Sequence, residues 1–339
     1  MTNSSKPSAR EAGSTLDVVC LRPEADFLKL DIVPPETLSI KYMAPDDDEL
    51  GADLSIARAL VIPAVGPKLP ASLFEDSNVA LVQVTGAGVD RVDADAMKSL
   101  GIAVANVPGG SSLAIAEYAV SSALCLLRRI VWADQELRAG NYAEARKQMV
   151  SDNLAGLEGM TVGIVGLGII GFTVARAFHS MGAHIVYCDP APRDPEQVAS
   201  IEARSLPLTE LLETADVVSL HMPLLPATES MIGDAELARM KSGAILINAA
   251  RGGIVDEAAL ARHLVSGHLG GAAVDVFSSE PPSADNPLFL LDNEAGRRLL
   301  LTPHIAGVSR QSWAYLFRSA WQNVERVLLR NEAPTNRVF

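Results

Sequence analysis

Met160-Thr-Val-Gly-Ile-Val165-Gly166-Leu-Gly168-Ile169-Ile170-Gly171, followed by Phe172 to Ser180, is the stretch whose reading decides the fold. Its first six residues form a continuous apolar run, as expected of a parallel strand covered on both faces. The residues after Gly171 have a helical pattern, so the three glycines sit between a strand and a helix. In that context Gly166 permits a tight turn, Gly168 lets the backbone approach a diphosphate, and Gly171 lets helix and strand pack closely. The first-turn amides and the positive end of the helix dipole then suit an anion. About 20 residues further on, where a dinucleotide's adenosine ribose is expected, the next apolar run ends in Cys188-Asp189-Pro190. A carboxylate there accepts hydrogen bonds from both ribose hydroxyls and repels a 2′-phosphate, which favours NAD over NADP. His179 and His184 flank this region without partner spacing and read as surface or packing residues.

Outward from this unit, apolar runs at 184–187, 216–220, 244–247, 271–274 and 299–302 alternate with helix-length segments. Together these six βα repeats predict a doubly wound parallel sheet. Upstream, shorter runs at 17–20, 59–62, 80–84 and 102–105 predict a first α/β domain. Pro108-Gly-Gly-Ser111-Ser112 interrupts the pattern, and its serines are suited to cap a helix over about 113–130. Near the end, Trp313, Leu316, Phe317, Ala320, Trp321, Val324 and Leu328 share one face of a helix expected over 311–330, a stripe that reads as core packing.

The 339 residues carry 28 Lys+Arg against 41 Asp+Glu, a formal charge of -13, which lacks the electrostatic footprint of nucleic-acid or membrane-surface binding. The longest apolar run, 119–127, is too short to cross a bilayer. Residues 1–15 are polar without an apolar core, so they read as a disordered tail and not as a secretory signal. Cys20, Cys125 and Cys188 show neither CxxC nor metal-ligand spacing and read as reduced core thiols. An acidic cytoplasmic protein is the class these features describe.

Three more segments place polar residues just after apolar runs, where open α/β sheets bind ligands. They are Ile247-Asn-Ala249-Ala250-Arg251-Gly-Gly-Ile-Val-Asp256, Ala273-Val-Asp275-Val-Phe-Ser-Ser-Glu280-Pro-Pro and Leu301-Thr-Pro-His304-Ile-Ala-Gly307. Hydride transfer to a 2-oxo acid needs a cation for the carboxylate, a proton donor for the carbonyl oxygen, and a group that orients that donor. Arg, His and Glu are the residue types for those tasks. Asp256, Glu257, His263 and His268 read as helix-capping or surface groups.

With Gly86-Ala87-Gly88-Val-Asp90 and His221-Met222-Pro223, these motifs resemble the D-isomer-specific 2-hydroxyacid dehydrogenase family over nearly the whole chain after Thr15. The resemblance implies Arg251 at the substrate carboxylate and carbonyl, His304 as acid and base, and Glu280 paired with the imidazole. It implies substrate contacts from the Ala87 and Gly88 amides. Cofactor contacts are implied for Ile169, Ile170, Met222, Pro223, Thr228, Ala249, Ala250, Asp275 and Gly307, beside Gly166, Gly168, Gly171 and Asp189. It also implies a flavodoxin-like substrate domain of 16–110 plus 309–339, a Rossmann NAD-binding domain of 111–308, and a homodimer. Ser111 stands where many members have Asn, so the contact there differs. Glu280 replaces the Gln of formate dehydrogenases and Ala87 the Lys of phosphite dehydrogenases, which argues against both activities. The alternative is an NAD-responsive protein-binding module, because the C-terminal binding protein corepressors resemble the family and keep the Arg, Glu and His.

Overall fold

A computed structural model describes residues 16–339; the tail expected over 1–15 lies outside the described residues. The chain divides into two compact units, residues 16–108 with Ala314–Phe339 and Gly109–Trp313.

The first unit is a parallel sheet of β1 (Val18–Cys20), β2 (Ile40–Tyr42), β3 (Ala59–Ile62), β4 (Leu81–Val84) and β5 (Ala103–Ala105), in the order β2-β1-β3-β4-β5. That is the flavodoxin-like order. The central strands β1, β3 and β4 are wholly buried, which explains why they are apolar throughout except at Gln83. The edge strand β2, Ile-Lys-Tyr, is only partly buried and carries no such run, and the sequence reading missed it. Beyond β5, the Val338 amide donates to Val104 and the Val104 amide to Phe339, so the last residues line that edge. The aromatic stripe packs as expected. The helix Arg310–Leu328 buries Phe317 and Trp321, whose ring centroids lie 4.6 and 5.4 Å from that of Phe27. Asn323 on this helix donates to Gln83, buried in β4, at 2.9 Å and accepts from the Thr335 amide, so both buried amides are satisfied.

The second unit is a seven-stranded parallel sheet: β6 (Thr161–Val165), β7 (His184–Cys188), β8 (Arg204–Ser205), β9 (Val217–Leu220), β10 (Ile245–Asn248), β11 (Gly271–Val274) and β12 (Leu299–Leu301). Its order, β12-β11-β10-β9-β6-β7-β8, reverses direction between β6 and β9. Such a switch point opens a crevice at the carboxyl ends of the strands. The expected doubly wound sheet is present, with one addition: β8 is two exposed residues, too short and polar to be read as a strand. The helix Ser112–Leu127 shares a core with the helix Ile169–Ser180 through Ala119, Ala123, Val174, Ala175 and Phe178. It stops before the expected 130, because Arg129 adopts a left-handed backbone with φ 48°. The serine pair does not cap it: Ser111 makes no capping bond, and the Ser112 hydroxyl is buried without a partner among the described residues.

The cysteines are free, Cys20 buried and the other two half-buried. Burial pushes the Cys20 thiol up to about 12, which keeps it protonated and unreactive. Among the described residues no helix is long and apolar enough to cross a membrane.

Candidate active site

The turn after β6 has room for a diphosphate. Gly166 takes φ +90°, and a Cβ there would lie 2.8 Å from the His221 carbonyl oxygen. At Gly171 a Cβ would lie 1.9 Å from the Gly166 oxygen, whereas at Gly168 it would meet nothing within 4 Å. Two glycines are therefore required by packing, and the third faces open space above the first turn of the helix Ile169–Ser180. The first amides of that helix have no acceptors within it. Ile169 on this turn is 62% exposed, Ile170 half-buried. These residues fit a dinucleotide.

After β7, Asp189 turns its carboxylate inward, with the side chain 4% exposed. Oδ2 accepts from the Leu167 amide of the glycine turn at 2.7 Å, and Oδ1 accepts from the Ala191 amide at 2.9 Å and from Arg193 Nη2. Burial alone would raise the pKa, but Arg193 and the two amides prevail and hold the carboxyl below the usual range. The sequence reading singled out Asp189 but missed Arg193, whose side chain the loop Asp189–Asp194 folds back onto it.

After β9, His221 Nε2 lies 2.8 Å from the Ser219 hydroxyl, and burial lowers the imidazole to about 3, so the ring stays neutral. Met222 is half-buried and Pro223 exposed. The Thr228 hydroxyl donates to Pro223 at 2.7 Å and accepts from the Leu225 amide at 2.8 Å, which holds this loop in shape.

Arg251, Glu280 and His304 follow three neighbouring strands, β10, β11 and β12. Asn248, the last residue of β10, accepts from the Ala250 amide and donates to the Arg251 carbonyl, which sets the Ala249-Ala250-Arg251 turn. Arg251 Nη1 donates to Ala250 at 2.7 Å. The next residue, Gly252, lies so close to the chain leaving β11 that a Cβ would be 1.7 Å from the Phe277 carbonyl oxygen. Asp275, at the end of β11, is buried, and its carboxylate accepts from the Ile305 and Ala306 amides at 2.8 Å and from the Thr302 hydroxyl. With the His304 amide bonded to the Asp275 carbonyl, this network holds His304 at φ 54°. Gly307 packs against Ser111, where a Cβ would lie 3.2 Å from the serine Cβ.

His304 Nδ1 lies 2.7 Å from Glu280 Oε2, and Glu280 Oε1 accepts from the Phe277 amide at 3.1 Å. Burial raises the Glu280 pKa, but those hydrogen bonds and the charges of His304 and Arg251 prevail and keep the carboxyl ionised below its ordinary range. Glu257, expected to be a capping or surface group, is half-buried and hydrogen-bonded to the Glu280 loop. It accepts from the Ser278 amide and hydroxyl and from Asn286 Nδ2, at 2.7, 2.9 and 2.7 Å, and so clamps the loop that carries Glu280. Nothing in its local sequence marks that role, because both partners are 21 or more residues away.

In the first unit, Ala87 and Gly88 follow β4 and are partly exposed. Their amides have no acceptor among the described residues, while Asn106 Nδ2 donates to the Ala87 carbonyl. Arg91, 3% exposed, donates to the Pro63 and Pro67 carbonyls at 3.1 and 2.9 Å and braces the loop between them. It was not singled out in the sequence.

The family model for the D-isomer specific 2-hydroxyacid dehydrogenase, NAD binding domain, matches residues 120–306. The chain belongs to this family. The match falls within the second unit, which has the parallel-sheet fold that the sequence predicts. D-3-phosphoglycerate dehydrogenase of Archaeoglobus fulgidus is 38% identical over 235 residues, 69% of this chain and 42% of that protein. The chain spans less than half the length of the curated relatives it matches. A glyoxylate reductase from Paecilomyes thermophila superposes with TM-score 0.79 at 25% identity, over 96% of this chain and 98% of its own. An NAD-dependent formate dehydrogenase from Staphylococcus aureus, solved with NAD, superposes with TM-score 0.79 at 25% identity, over 95% and 98%.

Proposed function

We propose that the protein is an NAD-dependent enzyme that interconverts small 2-oxo acids and D-2-hydroxy acids. The supporting observation is the 2.7 Å pair of His304 and Glu280, with the Arg251 charge acting on the same carboxylate. NAD(H), when bound, supplies or accepts the hydride. Because Nδ1 of His304 is engaged by Glu280, Nε2 is the nitrogen left to give a proton to the substrate oxygen in reduction, or to take one in oxidation. Glu280 fixes the orientation of the imidazole through the Nδ1 contact. Arg251 anchors the substrate carboxylate, since its planar fork matches two oxygens. The acceptor-free amides of Ala87 and Gly88 are a further anion-binding element. The similarity to dehydrogenases and reductases favours catalysis over a cofactor-responsive binding module.

The test is NADH oxidation with glyoxylate, hydroxypyruvate, pyruvate, phenylpyruvate, sulfopyruvate and 3-phosphohydroxypyruvate. At least one acid should turn over with kcat of about 1–10³ per second. Tight NADH binding with negligible turnover of all six would restore the binding-module reading. We also read the protein as a cytoplasmic homodimer joined through its NAD-binding units. Ile130, Val131, Leu137, Tyr142 and Val150 support this, as exposed apolar residues on the adjacent helices Ile130–Arg138 and Tyr142–Ser151. A monomer at micromolar concentration in sedimentation velocity would remove that part.

A further inference from the structure

Asp189 is the residue from which the sequence argues exclusion of a 2′-phosphate, and the structure gives its charge a counter-ion. Arg193 Nη2 donates to Asp189 Oδ1, and the two side chains are only 28% and 4% exposed, so the pair is not a solvated surface contact. The loop that places Arg193 is stiff: Pro190, Pro192 and Pro195 each restrict φ, and Asp194 caps the next helix by accepting from the Glu196 amide at 2.9 Å. The guanidinium is not saturated. Its Nε–H is buried and has no acceptor among the described residues. With three donors already on Asp189, this corner presents a neutral pair with spare N–H groups, not a lone carboxylate.

We propose that Arg193 sets the protein's discrimination between the two dinucleotides, so that NADPH binds as well as NADH. The inference rests on the reading that Asp189 meets the adenosine ribose. A ribose with a free 2′-hydroxyl donates to Asp189 while Arg193 stays paired. A 2′-phosphate, which Asp189 alone would repel, draws the guanidinium towards itself, and Arg193 then offers it the fork geometry that phosphate oxygens favour.

The experiment is equilibrium titration of nicotinamide fluorescence with NADH and NADPH, without substrate, on the intact protein and on Arg193→Gln and Arg193→Leu. Circular dichroism confirms that both variants are folded. In the intact protein the Kd for NADPH should lie within about tenfold of that for NADH, a difference of about 1.4 kcal/mol or less. Both variants should raise the ratio of the NADPH Kd to the NADH Kd by about tenfold or more. Tight NADH binding with an NADPH to NADH ratio that does not respond to Arg193, or with NADPH more than about a hundredfold weaker in the intact protein, overturns the proposal alone. Failure to bind either dinucleotide overturns the cofactor reading, and this proposal with it.

Discussion

His304 sits in the left-handed region at φ 54°, where an ordinary side chain costs about 1–2 kcal/mol and only Gly, Asn and Asp are tolerated well. Alanine at this site would mix strain with loss of the imidazole, so Asn is the cleaner replacement. His304→Asn should lower kcat by ~10²–10⁴ while NADH affinity stays unchanged, and normal turnover would remove the residue from the mechanism. Arg251→Lys should raise KM for the oxo acid more than it lowers kcat, because an ammonium lacks the planar fork. Steady-state kinetics with the best acid of the panel decides this. Glu280 carries a pH prediction. Its folded pKa lies below the ordinary value of 4.5, so the stability it contributes is present above its unfolded pKa and is lost as pH falls through the lower folded value. The Glu280 carboxyl carbon should therefore titrate below pH 4.5 in a ¹³C NMR experiment, and a midpoint above that value would contradict the pairing.

Among the elements, the Arg251 turn and the chain leaving β11 touch backbone to backbone at Gly252. Gly252→Ala should destabilise the fold by about 3 kcal/mol or more, since a methyl group 1.7 Å from the Phe277 oxygen requires the backbone to move. Thermal or denaturant unfolding measures it, and a stability loss under about 1 kcal/mol would show that the two segments are not seated as described. The same reasoning explains what could be read from sequence. Wholly buried strands such as β6 and β10 announce themselves as apolar runs, and Arg251, Glu280 and His304 stand out because each follows such a run. The edge strands β2 and β8, with partly or fully exposed residues, leave no such pattern. Glu257, Arg193 and Arg91 were illegible for another reason. Their roles depend on how loops fold back, which spacing does not encode. For Glu257→Gln, whose amide cannot accept from Ser278 and Asn286 as a carboxylate does, kcat should fall by about tenfold with NADH affinity unchanged. An unaltered kcat would make Glu257 purely structural.

At the scale of the whole molecule, the two units should respond differently to cofactor. NADH at 100 times its Kd stabilises the folded protein by about 2.7 kcal/mol. Amide hydrogen exchange should therefore slow across Gly109–Trp313, most strongly in the turn at Gly166–Gly171, and protection spread evenly over the first unit would contradict the site described.

The first unit is discontinuous in sequence, and its buried Gln83 accepts a hydrogen bond from Asn323, 240 residues later. On the ribosome, residues 16–108 emerge long before residues 314–339, which pack with them, whereas Gly109–Trp313 emerges as one uninterrupted piece. The second unit therefore has all of its residues before the first has its own, although synthesis begins with the first.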